Sequence, residues 1–368
     1  MPIDRIYIKN FKSIRDSGEI NIRPLNVLIG SNGVGKSNFI GFFKLLNSIS
    51  EDRLKSFIAE NGYADKILHF GKKKSNELSG GIVFRNETNT NNRYDFILKP
   101  DQQNNFFFEE EKGGYNSYAK GYNESWDYMQ LEKSVGTPKS GLNEHTAERF
   151  KHLREYFTQF KIFHFHDTGN SSPMKQPSRI NDNAGLRADG SNLAAFLYMI
   201  SQRFPKHYRI IEHTIRFVAP FFSKFDLKPD GLNPDYIKLN WQEHDSDIYF
   251  DANNLSDGSL RFIALATLLL QPVLPDTIII DEPELGLHPS AITKLAALIK
   301  MASDKSQVIV STQSINLLDQ FEPEDIIVVE RHNNESVFKR LEPNKLSNWL
   351  SEYSIGELWD KNVIGGRP

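Results

Sequence analysis

The sequence predicts an α/β fold in which a mixed or parallel core sheet carries an antiparallel β subdomain and a helical lobe. The first observation is the phrase Gly-Ser-Asn-Gly-Val-Gly-Lys-Ser at 30–37, which lies between an apolar strand at 25–29 and a helical pattern at 38–49. The second is the apolar run at 277–280, which is typical of a strand buried on both faces of a parallel sheet. The third is a pair of strands within 80–99, joined by an asparagine-rich turn, which predicts an antiparallel hairpin.

The composition limits the classes of protein to which the chain can belong. Its 368 residues include 39% hydrophobic side chains, enough to bury the core of one large domain or two modest ones. The net charge of −3 argues against a constitutively basic nucleic-acid coat, and the absence of cysteine excludes disulfides and thiolate metal sites. Residues 1–5 lack the apolar core of a secretory signal, and the longest apolar stretch, 262–270, is too short to cross a bilayer. We therefore expect a cytoplasmic protein without a membrane partner.

Periodicity assigns the other elements along the chain. Alternation at 3–11 predicts the first strand, and helical spacing of apolar residues predicts a helix at 258–270. Further predicted strands lie at 19–22, 161–165, 236–241, 247–250, 307–312, 325–330 and 336–341, and further helices at 144–160, 191–204, 208–222, 290–302 and 349–359. Residues 100–142 show no such pattern, which favours a variable surface insertion over an arm that binds a partner or a nucleic acid.

The phrase at 30–37 fits G-x-x-x-x-G-K-[ST] at every fixed position. A strand, a glycine-rich loop and a helix N-terminus together make an anion site, because backbone N–H groups point inward and the helix dipole adds positive potential. Lys36 can reach the outer phosphates, and Ser37 can ligate Mg²⁺. This phosphate loop predicts that the chain binds a nucleoside triphosphate.

Two carboxylates, Asp281 and Glu282, end the apolar strand at 277–280. If this strand lies parallel to and beside the phosphate-loop strand, Asp281 comes near Mg²⁺, directly or through water. Glu282 then faces the γ-phosphate and can polarise the attacking water. The alternative is a buried strand that merely ends in polar residues.

A third motif, Leu-Ser-Asp-Gly-Ser at 255–259, opens the helix predicted at 258–270. Ser256, the backbone N–H of Gly258 and the helix N-terminus can together hold a γ-phosphate. Since the chain already supplies one phosphate loop, this second cradle is free to serve a second molecule. By itself, however, Ser-Asp-Gly is also an ordinary turn and helix cap.

In this order the motifs resemble those of ABC-type ATPase heads in the RecF, SMC and Old-like group. More narrowly, they resemble those of stand-alone prokaryotic ATPases that accompany toxic effectors in antiphage systems such as Septu. The matching phrases are N-F-K-S at 10–13, G-S-N-G-V-G-K-S-N at 30–38, L-S-D-G-S at 255–259, which is similar to the LSGGQ signature, D-E-P-E-L-G-L-H-P at 281–289, and S-T-Q-S at 311–314. The resemblance covers nearly the whole chain outside 100–160. It implies a P-loop NTPase fold of the ABC-ATPase type, with ATP and Mg²⁺ as cofactors.

The resemblance also implies a role for each matching residue. ATP would be bound by Lys12, Asn32, Gly33, Gly35, Lys36, Ser37 and Asn38, and Mg²⁺ would be held by Ser37 and Asp281. Glu282 would be the hydrolytic base. Ser256, Gly258 and His288 would reach across a head-to-tail dimer to the ATP of the partner.

Gln313 is a departure, because the group usually has a histidine at this position of its S-T-H-S phrase. A glutamine can hydrogen-bond a γ-phosphate oxygen or a water, but it cannot carry charge. We therefore predict that Gln313 takes part in a slow hydrolysis, which suits a clamp or a sensor better than a motor.

The motifs divide the chain into five parts. These are the N-terminal half of the ATPase head at 1–100, a variable insertion at 101–160, a helical lobe at 161–250, the C-terminal half of the head at 251–335 and a C-terminal tail helix at 336–368. The tail helix has two equal interpretations: docking on its own head or holding a partner protein. The segment His-Phe-His-Asp-Thr at 164–168 has three: structural packing, a contact equivalent to the Q-loop of ABC ATPases, or a metal site.

These patterns favour an ATPase that dimerises around ATP, with higher oligomers open, and regulates a separately encoded effector protein in antiphage defence. The alternative is a RecF-like DNA-repair ATPase, so nucleic acid is a second candidate partner. The N-F-K-S and D-E-P-E phrases disfavour a transporter subunit. An effector nuclease within this chain is disfavoured as well, since only about forty residues follow Glu330.

Overall fold

A computed structural model describes residues 2–85, 90–117, 126–246 and 248–367. These residues form two six-stranded sheets, two smaller sheets and eleven α-helices. The strands are β1 (Ile3–Phe11), β2 (Ile14–Asn21), β3 (Leu25–Ile29), β4 (Leu78–Arg85), β5 (Thr90–Pro100), β6 (Phe106–Ser117), β7 (Asp127–Gln130), β8 (Phe160–Phe163), β9 (Ser178–Arg179), β10 (Phe222–Phe225), β11 (Tyr236–Ile237), β12 (Asn240–Glu243), β13 (Tyr249–Asp251), β14 (Thr277–Asp281), β15 (Gln307–Thr312), β16 (Ile326–His332) and β17 (Glu335–Arg340). The helices are α1 (Lys36–Ser50), α2 (Leu54–Glu60), α3 (Tyr63–Ile67), α4 (Glu148–Gln159), α5 (Leu193–Arg203), α6 (Pro205–Val218), α7 (Asp257–Leu270), α8 (Pro289–Ser303), α9 (Ile315–Leu318), α10 (Pro343–Leu350) and α11 (Ile355–Asp360). Across these ranges, no helix combines the length and the apolar character needed to span a membrane.

The first six-stranded sheet runs in the order β17-β16-β3-β15-β14-β8. Its strands are parallel, apart from β17, which pairs antiparallel with β16. Side chains of its central strands alternate between two hydrophobic cores, so that Val27 and Ile29 enter one core while Leu28 enters the other. Burial on both faces is why these strands are continuous apolar runs.

The phosphate-loop strand β3 pairs with β15 and β16, and not with β14 as the sequence analysis assumed. β14 pairs with the other edge of β15, where Asp281 lies opposite Ser311. Three strands with the same apolar pattern can be arranged side by side in several orders, and the pattern alone does not choose among them. The two carboxylates therefore reach the phosphate loop across one intervening strand.

The second six-stranded sheet, in the order β2-β1-β4-β5-β6-β7, is antiparallel. Helix α1 lies between the two sheets. Its Phe42 contacts the rings of Phe11 and Phe96 at centroid distances of 5.7 and 6.0 Å. On the other side, Phe43 contacts Phe160 of β8 at 5.8 Å. One amphipathic helix thus fixes the antiparallel sheet against the parallel one.

A helical lobe covers the opposite face of the parallel sheet. Helix α6 packs against α5 and α7, and α7 packs against α8. The small sheet β10-β12-β13 closes this lobe, with Trp241 stacked on Phe250 at a centroid distance of 5.0 Å. The predicted fold class, with its mixed core sheet, antiparallel β subdomain and helical lobe, is confirmed.

The stretch from 100 to 142, in which the sequence analysis found no pattern, contains two strands. β6 pairs with β5 along nearly its whole length and β7 pairs with β6. The strand β6 escaped detection because its polar residues do not mark the exposed face: Glu111 is buried and accepts hydrogen bonds from the Tyr94 hydroxyl at 2.6 Å and the Gly141 N–H at 2.8 Å. Gly113 of β6 lies against Phe150 of α4, where a Cβ would approach the ring to 2.5 Å. The division of the chain into five parts stays a prediction.

Several other element boundaries differ from prediction. The strand predicted at 236–241 is two strands, β11 and β12, in different sheets, and the strand predicted at 19–22 is β2, which begins at Ile14. The single helix predicted at 349–359 is two helices, α10 and α11, because Ser354 starts a new helix: its hydroxyl accepts the Glu357 N–H at 3.2 Å, and the Glu357 carboxylate accepts the Ser354 N–H at 2.8 Å. The helix predicted at 208–222 begins at Pro205 and ends at Val218. Most of the predicted turn at 86–92 and the first residue of the strand predicted at 247–250 lie outside the described residues.

Candidate nucleotide-binding site

The phosphate loop joins the end of β3 to the start of α1. Helix α1 begins at Lys36, directly after Gly35, whose φ of 118° lies outside the usual range of a residue with a Cβ. A Cβ at Gly35 would collide with the hydroxyl of Ser336, and a Cβ at Gly30 would collide with the carbonyl of Val329. Glycine is therefore required at both positions by the close approach of β16 and β17.

Lys36 lies inside the loop rather than in solvent. Its Nζ donates to the carbonyl of Gly30 at 2.6 Å and to that of Ser31 at 3.1 Å. Burial lowers the pKa of Lys36, and the carboxylates of Glu282, Asp281 and Glu284 oppose that shift. Among the described residues, the Lys36 ammonium group is hydrogen-bonded only to backbone carbonyls. Because phosphate oxygens bind an ammonium group more strongly than neutral carbonyls do, the phosphates of a nucleotide can replace these partners.

A group of hydrogen-bonded side chains holds the phosphate loop in place, and the sequence analysis did not assign this group a role. Ser13 and Ser336 are hydrogen-bonded at 2.6 Å, and the Ser336 hydroxyl donates to the Val34 carbonyl at 2.6 Å. The side-chain amide of Asn38 donates to Ser13, also at 2.6 Å. Asn38, a predicted ATP contact, is thus bound to the N-F-K-S phrase, whereas Asn32, Gly33 and Ser37 are exposed.

The carboxylates and Gln313 come together at the ends of β14 and β15. The Ser311 hydroxyl donates to the carboxylate of Asp281, and the Gln313 side-chain amide donates to that of Glu282. The backbone N–H of Glu282 donates to the Ser311 carbonyl at 2.9 Å, and Glu282 has a φ of 42°. This turn brings the carboxylate predicted to bind Mg²⁺, a candidate base and a polar amide to one edge of the sheet.

The donor set at this edge fits Mg²⁺. The Ser37 hydroxyl is exposed at the start of α1, and the Asp281 carboxylate is half-buried at the end of β14. Mg²⁺ prefers oxygen ligands and takes few from the protein, with the rest from water and phosphate. Among the described residues, no three His, Asp or Glu side chains form a group that could hold a metal ion alone.

Glu284 is a functional candidate that the sequence analysis left without a role. Its Oε1 accepts the Thr312 hydroxyl at 2.5 Å and the Gln313 N–H at 3.2 Å. Its Oε2 is buried and, in the part of the chain that the structure describes, has no hydrogen-bond partner. Burial raises the pKa of this carboxyl. Glu284 ties the loop after β14 to the residue beside Gln313, and the D-E-P-E phrase was the available signal.

The segment 164–168 packs against the carboxylate strand. His166 Nε2 is 2.7 Å from the Asp281 carbonyl, and Arg261 of α7 donates to the carbonyls of Phe165 and His166 at 2.9 and 3.0 Å and to that of Leu285. Burial, followed by the charge of Lys44, lowers the pKa of His164 to about 4. These contacts support the packing interpretation of the segment. Arg261, which the sequence analysis missed, joins it to the loop at 282–288.

The signature-like phrase begins α7. Ser256 is the N-cap, and its oxygen accepts the Ser259 N–H at 3.1 Å. A Cβ at Gly258 would collide with the carbonyl of Gly286, so the phrase lies directly against the loop that ends at His288. The His288 ring accepts the Ser290 N–H at 3.3 Å and caps α8. Within the described ranges, no hydrogen bond joins residues 256–259 to the phosphate loop of the same chain.

Lys12 lies beside a separate surface cavity. Its φ is 51°, and its Nζ donates to Asn61 at 3.0 Å. Burial lowers the pKa of Lys12, with a smaller effect of Lys44. A cavity of about 600 Å³ opens here between Lys12, His69, Phe70 and Arg331. Phe70 is 56% exposed, which leaves an aromatic face available to a flat ligand.

On the other side of the phosphate loop, a cavity of about 470 Å³ is bounded by residues from three parts of the chain. Its lining residues are Ser31, Asn32, Gln313, Trp359, Asp360 and Arg367. The Ser31 N–H donates to the carbonyl of Gly366 at 2.8 Å. The predicted tail therefore docks on its own head, which is one of the two interpretations left open.

Comparison with solved structures supports the fold. A crystal structure described as the SmcHead bound to the C-winged helix domain of ScpA superimposes with a TM-score of 0.62 at 18% identity, covering 95% of this chain and 100% of that one. An Smc head domain with an extended coiled coil, bound to the C-terminal domain of ScpA and derived from Pyrococcus furiosus, gives a TM-score of 0.61 at 17% identity, with 95% and 98% covered. At these identities the likeness is one of fold.

No curated protein matches the chain. A family model described as "AAA domain, putative AbiEii toxin, Type IV TA system" matches residues 25–319, which extend from the phosphate-loop strand past Gln313. Because this match covers most of the chain and includes the phosphate loop, both carboxylates and Gln313, the chain belongs to this family of AAA ATPase domains and has the fold of an SMC-type head.

Proposed function

We propose that the chain binds ATP with Mg²⁺ at the phosphate loop, hydrolyses it slowly, and dimerises head to tail around it to control a separate effector protein. The observation that carries the proposal is the convergence of Lys36, Glu282 and Gln313 at one edge of the parallel sheet. This edge is where ligands bind in open α/β sheets. Bound Mg²⁺, held by Ser37 and Asp281, would neutralise phosphate charge.

The roles of the polar residues follow from their chemistry. Glu282 accepts the Gln313 amide here and would accept a proton from the attacking water once a triphosphate is bound. Lys36 would exchange the carbonyls of Gly30 and Ser31 for phosphate oxygens. The aromatic ring of Phe70 and the cavity beside Lys12 would receive the base.

The proposal of a dimer is supported by the position of the signature-like phrase. Ser256 and His288 are exposed, and their side chains cap their own helices. A helix N-terminus that faces solvent can accept an anion from a second molecule. We therefore propose that Ser256, Gly258 and His288 of one copy contact the ATP of the other.

The proposed role in antiphage defence, with a Septu-like effector, is supported by the family. Its description, "AAA domain, putative AbiEii toxin, Type IV TA system", connects these domains with a toxin–antitoxin system and names no separate effector. The structurally similar Smc heads are bound to a domain of ScpA, which makes a protein partner for this head a reasonable model. The alternative, a RecF-like DNA-repair ATPase, is supported by the Smc-head fold and by the exposed lysines at 72–74.

The test compares ATP binding and hydrolysis by the wild-type chain, Lys36→Ala and Glu282→Gln. We expect Lys36→Ala to lose binding and Glu282→Gln to keep binding but lose hydrolysis by about 100-fold or more. Lys206→Ala, at an exposed position of α6, is the control and should equal the wild type. Unchanged hydrolysis in Glu282→Gln would contradict the proposal. DNA binding that weakens steeply between 50 and 200 mM salt would favour the repair alternative.

A further inference from the structure

The segment 354–367 is attached to the helix that follows Gln313. Ile355 and Leu358 of α11 are buried, and α11 packs on α9. The Gly356 N–H donates to the Asp319 carboxylate at 2.6 Å, and a Cβ at Gly356 would approach Ile315 to 2.5 Å. The segment is thereby held at a defined distance from β15 and its terminal Gln313.

The same segment touches the phosphate loop through Gly366, the second of two adjacent glycines. Gly365 and Gly366 have φ values of 81° and 78°, a conformation that favours glycine. The Gly366 N–H donates to the Glu330 carboxylate at 3.0 Å, while its carbonyl accepts the Ser31 N–H at 2.8 Å. These two hydrogen bonds, one to β16 and one to the phosphate loop, fix the backbone immediately before Arg367.

One ion pair supplies the charges around the resulting 470 Å³ cavity. Among its six lining residues, Arg367 carries the only positive charge and Asp360 the only negative charge. Arg367 Nη2 is 3.1 Å from the Asp360 carboxylate, and Nη1 donates to the Asp360 carbonyl. The side chain of Arg367 is 49% exposed, so it can rotate away from Asp360. Gln313 and Asn32, which also line the cavity, are neutral.

We propose that Arg367 binds the terminal phosphate of the nucleotide and makes the site prefer ATP to ADP. The proposal rests on the proposed function, which puts the γ-phosphate between the phosphate loop and Gln313. A guanidinium can bind phosphate through two parallel N–H···O bonds, which neither a glutamine nor an asparagine can match in charge. Arg367 supplies the positive charge that Gln313 cannot.

Nucleotide binding would then include an exchange of partners. Without a triphosphate, Arg367 is bound by Asp360. With one, the guanidinium turns toward the γ-phosphate across the cavity, and Asp360 is left to solvent, where it is 56% exposed. ADP has no group at this position, so it cannot draw Arg367 away from Asp360.

The test measures dissociation constants for Mg-ATP and Mg-ADP by calorimetry in Glu282→Gln chains, in which hydrolysis is blocked. We expect Arg367→Gln to weaken ATP binding by about tenfold and ADP binding by less than twofold. Arg367→Lys should keep part of the preference, because it retains the charge but not the paired donors. Asp360→Asn should strengthen ATP binding, and this gain should vanish when Arg367→Gln is also present.

Arg53→Gln is the matched control, since Arg53 is an exposed arginine paired with the nearby Glu51 and should leave both constants unchanged. Equal losses of ATP and ADP binding in Arg367→Gln would overturn the proposal and indicate that Arg367 has only a structural role. Unchanged dissociation constants would overturn it as well. If the Glu282→Gln chain bound neither nucleotide, the proposed function itself would fail together with this inference.

Discussion

Gln313 and Glu282 are the pair of residues on which the rate of hydrolysis depends in our proposal. The Gln313 amide donates directly to the Glu282 carboxylate and so occupies one lone pair of the proposed base. A neutral amide also cannot neutralise the negative charge that develops on the phosphate during hydrolysis. Both properties favour a low turnover number.

Replacement of Gln313 by histidine tests this explanation. We expect Gln313→His to raise the steady-state rate at saturating ATP by about tenfold, because an imidazolium can both donate to the γ-phosphate and carry charge. Gln202→His, at an exposed position of α5, is the control. An unchanged rate in Gln313→His would show that the glutamine is not what limits hydrolysis.

At the scale of the element, the loop between β14 and α8 is held by a buried carboxyl. Glu284 accepts two hydrogen bonds at Oε1, from the end of β15, and none at its buried Oε2 among the described residues. Because burial raises the pKa of Glu284 in the folded chain, ionisation costs free energy there that it does not cost in the unfolded chain. The fold is therefore destabilised as the pH rises above the ordinary pKa of a glutamate.

Glu284→Gln keeps the acceptor at Oε1 and removes the charge. We expect the variant to exceed the wild type in free energy of unfolding by about 1 kcal/mol at pH 8, and to lose this advantage as the pH falls well below the ordinary pKa of a glutamate, where the carboxyl is protonated in both states. Urea unfolding at several pH values measures this difference. Glu352→Gln, at an exposed position, is the control. A variant less stable than the wild type at pH 8 would contradict the destabilising effect that we assign to the buried charge of Glu284.

Elements whose burial follows the chain's own periodicity were predictable, and those stabilised by distant contacts were not. β3, β14 and β15 are apolar because both faces are covered, so their existence could be predicted from composition alone. Their order could not, since it depends on pairing between strands far apart in sequence. β6 was missed because Tyr94 and Gly141 satisfy the buried Glu111. In the sequence, the one sign of the contact between Gly366 and Ser31 is the pair of adjacent glycines at 365–366.

At the scale of the whole molecule, the site that we propose draws on two surfaces. The phosphate loop and the carboxylates lie at one edge of the parallel sheet, whereas the signature-like phrase lies on α7 against the loop at 286–288. Among the residues that the structure describes, no hydrogen bond joins the signature-like phrase to the phosphate loop of the same chain, and in our proposal a head-to-tail dimer would complete the site. ATP would then hold two copies together.

A bulky charge at Ser256 tests the dimer without changing the phosphate loop. In the Glu282→Gln background, we expect ATP to produce a dimer in light scattering, and Ser256→Arg to abolish the dimer while the nucleotide still binds. Ser347→Arg, at an exposed position of α10, should leave the dimer intact. A dimer that survives Ser256→Arg would show that the signature-like phrase is not at the interface.

The position of β3 between β15 and β16 has a consequence for how the protein is made. Asn26 of β3 and Val308 of β15 are hydrogen-bonded although they are 282 residues apart. At the usual rate of synthesis, about 5–20 residues per second, β3 waits at least about 14 s for its first partner strand, with both hydrogen-bonding edges unpaired. The nascent chain thus carries the phosphate-binding sequence long before it has the site, and ATP can stabilise the fold only after β16 has left the ribosome.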